Sequence, residues 1–190
     1  MEEYAKDINS CLSVLRSGGI ILYPTDTVWG IGCDATNAEA VARIYRLKNR
    51  SDEKSMIVLV AEEKDVLRYV AAPDLAVFDY LKQVTKPTTV VYDGALLLAN
   101  NLVARDGSVA IRICHDPFCK QLIKRLGKPI VSTSANLSAS PTPKIFDEIS
   151  TEVREGVDYV VHYRRSDRQI AEPSSVVRWN KDGSLTIIRP

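Results

Sequence analysis

The chain has 190 residues, 45% of them hydrophobic and 26% charged, with a net charge of +1. That length and balance describe one globular domain spanning 1–190. The composition is that of an ordinary soluble globular protein, and no apolar run approaches the roughly 20 residues needed to cross a bilayer. A global electrostatic pull on nucleic acid or membrane is not expected, so any basic site must be local.

The N-terminus, MEEYAKDINS, is acidic and has no signal-peptide apolar core, so a cytoplasmic location is expected. Tyr4 to Ser17 carries Ile8, Cys11, Leu12 and Leu15 at helical spacing, and Gly18-Gly19 supplies the stop. Ile20 to Tyr23 reads as a buried strand ending at Pro24. Thr25, Asp26 and Thr27 then form a polar loop in which Gly30 and Gly32 let backbone come close to a ligand or turn. Thr36 with Glu39 predicts a capping box for a helix from Asn37 to Lys48, buried through Ala40, Val41, Ile44 and Leu47.

Met56 to Val60 is a continuous apolar run, the pattern of a strand covered on both faces. Helical segments follow from Glu62 to Tyr69 and from Pro73 to Lys82, then a strand from Thr88 to Tyr92 and a loop from Gly94 to Gly107. Val109 to Ile113 reads as a strand. Asp116 caps a helix from Pro117 to Leu126 that Gly127 ends, and Pro129 to Val131 begins another strand. Ser132 to Pro143 reads as a polar loop, with Thr142-Pro143 opening a short helix. Tyr159 to Val161 is a strand. Ser175 to Trp179 and Leu185 to Ile188 form a closing hairpin around Asp182-Gly183. Strands that alternate with helices early and pair as hairpins late predict an α/β fold, a twisted mixed sheet with helices on its faces.

Four segments carry candidate chemistry. Lys48 and Arg50 close a helix, and Lys54 precedes a buried strand. Cations there offset the helix dipole, or they clamp phosphates. Arg112 interrupts an apolar strand. It is either an edge residue turned to water or a cation on a cavity wall. Ser132, Thr133, Ser134 and Asn136 follow a strand. They make an ordinary polar turn, or a row of hydrogen-bonding groups for phosphate, ribose or an amino acid. Ser174, Ser175 and Arg189 flank the last hairpin, as solvated strand ends or as a further part of one site. Arg164, Arg165 and Arg168 read as a solvated loop that could close as a flap, and His115 as a surface residue at a helix start.

No Walker A loop, G-x-S-x-G elbow or nucleophile–base pair can be assembled. Cys11, Cys33, Cys114 and Cys119 form no CxxC and only two histidines exist, so reduced, buried thiols are expected in place of a zinc site. The pieces favour positioning and charge stabilisation.

Taken together the segments resemble the YrdC/TsaC family, the L-threonylcarbamoyladenylate synthases. YPTDTVWGIGCDA resembles its PT(D/E)TVYGLG signature, with Trp29 where Tyr is usual. Lys48-Asn49-Arg50 matches its KxR element, Ser134-Ala135-Asn136 its SxN element, Val109 to Arg112 its VAVR strand and Ile188-Arg189-Pro190 its terminal LRP. Three places depart. WPGPLT is reduced to Thr85-Lys86-Pro87-Thr88-Thr89-Val90, VEST reads Glu172-Pro173-Ser174-Ser175, and Leu59 stands where some relatives have histidine.

The resemblance implies a sheet around a large concave cavity, in a single-domain form without the extra C-terminal domain of longer relatives. It implies that L-threonine, bicarbonate or CO2, and ATP yield threonylcarbamoyl-AMP and pyrophosphate. Downstream threonylcarbamoyl-transfer proteins would then modify an adenosine of tRNA, and tRNA is itself a candidate ligand. Mg2+ on the phosphates is expected. ATP contacts would fall on Arg50, Lys54, Ser108, Ser134, Asn136, Thr142 and Arg189, with Lys48 and Arg50 acting in catalysis. Threonine contacts would fall on Thr27, Arg112, Ser132 and Ser174. A YciO-like paralogue acting on another carbamoyl or acyl adenylate and a non-enzymatic RNA-binding module are the competing readings.

Overall fold

A computed structural model describes residues 3–49 and 56–190. Helix α1 (Ala5–Arg16) buries Ile8, Cys11, Leu12 and Leu15, and the chain leaves it through Gly18 at φ +79°. Strand β1 (Ile21–Tyr23) is buried throughout. The polar loop then leads into a strand that sequence reasoning missed, β2 (Gly30–Gly32). The two glycines of Gly-Ile-Gly disfavour a strand. Pairing with neighbours on both sides imposes the conformation, and a Cβ at Gly32 would sit 2.5 Å from the Val131 carbonyl oxygen and 2.6 Å from the Tyr23 ring.

Helix α2 (Ala38–Lys48) is capped by Asn37, whose side chain accepts from the Glu39 and Ala40 amides; Thr36 does not form the expected capping box. Its hydroxyl donates instead to Asp34 Oδ1 at 2.7 Å. Tyr45 and Lys48 are buried on this helix, while Leu47 is half-buried.

The next elements are β3 (Ile57–Val60), α3 (Glu63–Tyr69), α4 (Ala76–Gln83), β4 (Thr88–Tyr92) and β5 (Val109–Ile113). They are followed by α5 (Pro117–Leu126), β6 (Ile130–Ser134), α6 (Thr151–Glu155), β7 (Tyr159–Val160), β8 (Ser175–Trp179) and β9 (Leu185–Arg189). The described strands form one mixed sheet in the order β7-β1-β2-β6-β3-β5-β4-β8-β9. The pairs β1/β7, β3/β5 and β4/β8 are parallel and the other pairs antiparallel. Helices flank this twisted sheet, as the sequence predicts, with α1 packed on α5, β1 and β7, and both α3 and α5 on β3.

Register decides which side chains share a face. Ile57 lies between Ala110 of β5 and Ser132 of β6, and Leu59 is paired with Arg112. Alternation along each strand therefore sets Ile57, Ala110, Arg112, Ser132 and Ser134 on one face. Val58, Ile111 and Val131 lie on the other and join the core.

Three expectations for the second half of the chain are corrected. Strand β6 runs to Ser134, so Ser132 and Ser134 are strand residues and not part of a loop. Thr142-Pro143 opens no helix, because Thr142 lies between Pro141 and Pro143 and a residue before proline is driven from helical dihedrals. Helical turns begin only at Phe146 and, after the Ser150 cap, at Thr151. The arginine loop is tied down: Arg164 pairs with Asp116 at 2.6 Å, Arg168 with Asp147 at 2.7 Å, and Arg165 Nε donates to the Val161 carbonyl at 2.8 Å. All four cysteines are free and buried, as expected.

Candidate active site

Strand β5 is an interior strand between β3 and β4, so Arg112 has no edge from which to reach water. It is 3% exposed. Its Nη2 donates to Asp26 Oδ1 at 3.0 Å and to Thr27 Oγ1 at 3.2 Å. Its Nε is buried with no hydrogen-bond partner. The loop that carries Asp26 is braced from within. Thr25 Oγ1 donates to the Val28 carbonyl at 2.8 Å and accepts from the Thr27 amide at 3.0 Å. An ion pair taken out of water needs its remaining protons satisfied, and the unmatched Nε marks a place for a further acceptor.

The last hairpin brings a second guanidinium to the same face. Arg189 donates through Nε and Nη2 to the Ser174 carbonyl at 3.0 and 2.8 Å. Ser174 is 1% exposed, and its hydroxyl lies 2.8 Å from that of Thr89. Burial, and after it the positive charge of Arg112, lowers the pKa of the Arg189 guanidinium below its ordinary value. Two cations in one hollow repel each other, and an anion placed between them relieves that repulsion.

A third wall comes from β6. Lys48 is 2% exposed, and its ammonium donates to the carbonyls of Ser134 and Asn136. In return, the Ser138 amide donates to the Lys48 carbonyl at 2.8 Å. The end of α2 and the turn after β6 are thus laced together. Asn136 Nδ2 donates to the carbonyls of Leu137 and Ser140, at 2.9 and 2.7 Å, and its Oδ1 is buried without a partner. Asn49, in the left-handed region at φ 49°, ends the helix immediately before Arg50. Arg50 and Lys54 lie outside the described residues.

The three walls enclose a hollow of about 240 Å³. Thr27, Arg112, Ser132, Ser134, Thr142, Ser174 and Arg189 line it, over apolar ground from Val28, Met56, Ile57 and Ala110. No Asp or Glu is among these lining residues. The structure therefore gathers seven of the sequence-predicted site residues, which are far apart in the chain. Ser108 is not among them, because its hydroxyl and amide are both taken by Asp106 Oδ1, at 2.6 and 3.0 Å. Lys48 and Asn136 stand behind the lining, as supports of the β6 turn. As bounded by the described residues, the hollow is modest beside the large cavity expected. The apolar ground was not foreseen, although the unbroken Met56 to Val60 run marks a strand buried on both faces.

A family model, Sua5/YciO/YrdC, described as telomere recombination, matches residues 13–190. The threonylcarbamoyl-AMP synthase of Photobacterium profundum is 31% identical over 168 residues, 86% of this chain and 90% of that protein. The Coxiella burnetii protein of the same name is 33% identical over 145 residues, 74% of this chain and 76% of that one. Among solved structures, P. abyssi Sua5 complexed with L-threonine aligns over 97% of this chain with a TM-score of 0.84 and 21% identity. E. coli YciO aligns over 97% of this chain and 88% of its own, with a TM-score of 0.83 and 22% identity. These last two likenesses speak for the fold alone, and this chain spans only 54% of the Sua5 chain. The match of the family model over nearly the whole sequence, with the two curated relatives, bears out the resemblance carried by the motifs: the chain belongs to the Sua5/YciO/YrdC family.

Proposed function

We propose that this chain is an ATP-dependent nucleotidyltransferase that makes threonylcarbamoyl-AMP from L-threonine, bicarbonate or CO2, and ATP. One observation carries the proposal: the buried guanidinium of Arg112 and the more exposed one of Arg189 share a hollow whose described lining offers hydroxyls and no carboxylate. Relatives named threonylcarbamoyl-AMP synthase support the same reading.

In this reading Arg112 receives the threonine carboxylate, using the Nε that has no partner. Thr27 and Ser174, which line the same hollow, orient the amino acid. The threonine amine takes up CO2, giving its carbamate and releasing a proton to solvent; with bicarbonate as the source, water leaves in place of that proton. A carbamate oxygen then attacks the α-phosphorus of ATP. The bond from that phosphorus to the bridging oxygen breaks, and pyrophosphate departs with the electron pair. Arg189, with Arg50 and Lys54, counters the charge that builds on the leaving group. Ser134 and Thr142 contact the nucleotide. Lys48 and Asn136 hold the backbone of the β6 turn in place, so Lys48 acts by positioning. The nucleophile belongs to the substrate, and the protein's task is alignment and exclusion of water.

Magnesium would arrive on the triphosphate. The described residues contain no group of three or more Asp, Glu, His or Cys side chains able to cage it. The product would pass to threonylcarbamoyl-transfer proteins that act on tRNA, in the cytoplasm.

One observation favours a second reading, a paralogue using another amino acid or acyl group. Leu59, where some relatives carry histidine, is paired in register with Arg112. The test of both is pyrophosphate release and mass detection of the adenylate with threonine, serine and other amino acids in turn. The proposal expects threonine-dependent release and a threonylcarbamoyl-AMP mass. Release with another amino acid alone would favour the paralogue, and none from folded protein would reject both.

A further inference from the structure

A larger hollow, about 560 Å³, lies on the far side of Asp26. It opens where β3 and β5 end, at Ala61 and at Ile113 to His115, with the end of α4 and the start of β4 opposite. Because β3 and β5 are parallel, this is the crevice beyond the carboxyl ends of parallel strands, where α/β sheets hold ligands. Its size is in the range that encloses a small organic molecule. The reduced segment Thr85 to Thr88 forms part of its wall.

The charges on the wall do not cancel evenly. Glu62 is held by Lys64 at 2.7 Å and by Lys124, and Glu63 by Lys82 at 3.7 Å. Asp26 is held by Arg112 at 3.0 Å, and Lys86 by Glu172 at 3.7 Å. Every acid on the wall thus has a cation. Among the described residues, Lys120 is the wall lysine whose ammonium has no acidic partner, and the exposed imidazole of His115 stands at the same end, beside the start of α5. Leu81, Val84, Pro87, Ala61 and Ile113 supply apolar surface around them.

We propose that this hollow is a second ligand site, separate from the hollow of Arg112 and Arg189, for a small molecule with an apolar body ending in one anionic group. The anion sits on Lys120 with His115 as a second donor, and the apolar body covers Leu81, Val84 and Pro87. An apolar body alone would leave Lys120 facing it without an acceptor, and a bare anion would leave the apolar surface in water. Only a molecule with both parts meets both walls. The site does not depend on the reaction proposed above, because its occupancy is read directly.

The test is calorimetric titration of the full chain with octanoate and with octyl phosphate below micellar concentration, against octanamide and inorganic phosphate. The expected result is saturable binding of one equivalent of at least one amphipathic anion. Octanamide and inorganic phosphate should each bind about tenfold or more weakly. The ratio of the two anions tells carboxylate from phosphate. Lys120→Glu should weaken the preferred anion by about tenfold or more, and Val84→Trp, which fills the hollow, should abolish binding. Thermal melts confirm that each variant is folded. Absence of saturable binding, equal affinity for octanamide, or affinity unmoved by both substitutions would overturn the proposal.

Discussion

Asp26 Oδ1 and Arg112 Nη2 meet at 3.0 Å across 86 residues of sequence, with 11% and 3% of their side chains exposed. Asp26 Oδ2 also accepts from the His115 amide at 3.4 Å. The pair anchors the polar loop to an interior strand and fixes where the guanidinium points. Asp26→Asn keeps the shape and removes the counter-charge, leaving a buried cation short of compensation. The expected cost is about 3 kcal/mol by denaturant titration. Threonine should then raise the melting temperature of this variant more than that of wild type, because its carboxylate supplies the missing charge. Equal stabilisation of the two would contradict the assignment of Arg112.

Arg112 itself should govern the amino acid and not the nucleotide. Arg112→Ala is expected to raise the threonine KM by about tenfold or more, the effect of about 1.4 kcal/mol or more. The ATP KM should change far less. Arg112→Lys should restore little, since an ammonium cannot replace the planar fork. Steady-state pyrophosphate release at varied threonine and varied ATP separates these effects.

Lys48 should matter to stability as well as to turnover. Lys48→Met leaves the Ser134 and Asn136 carbonyls buried without their charged donor. The expected loss is about 1–3 kcal/mol in denaturant unfolding, with a raised ATP KM because the β6 turn loosens. A variant of unchanged stability would show that the ammonium is not what holds the turn.

Far from the site, Asp7 ties α1 to the segment after β7. Burial pushes its pKa up. The His162 amide (3.0 Å), the Tyr159 hydroxyl (2.6 Å) and the Tyr163 amide (2.9 Å) outweigh it and hold the carboxyl below its usual value. A depressed folded pKa gives stability that is present above the unfolded value, about 3.9, and lost as pH falls through the folded one. Asp7→Asn should therefore destabilise at neutral pH, and the gap from wild type should narrow below about pH 4. Unfolding curves across that range check it; a gap independent of pH would contradict it.

Much of this was legible in the sequence wherever a local rule and the tertiary fold agree. Helix α5 has its Asp116 cap, Pro117 at its start and Gly127 at its end, and it forms on those bounds. Strand β2 was illegible because Gly-Ile-Gly is extended only by virtue of its two neighbours. The Thr36 cap failed because Asp34, two residues back, competes for its hydroxyl. Arg112 and Lys48 show the same limit at the site. Both read as surface cations as readily as site residues until strand order and register bury them, one against Asp26 and the other against the β6 turn. The hydroxyls of the hollow were found through the motifs they belong to, whereas the apolar ground beneath them carries no motif.

The most direct test of the central claim is calorimetric titration of L-threonine, in bicarbonate, into the protein with and without a non-hydrolysable ATP analogue, for wild type, Arg112→Ala and Arg189→Ala. One shared hollow predicts that the analogue tightens threonine binding to wild type, that Arg112→Ala loses threonine binding, and that Arg189→Ala loses the tightening. Threonine binding that ignores the analogue and survives both substitutions would contradict the account.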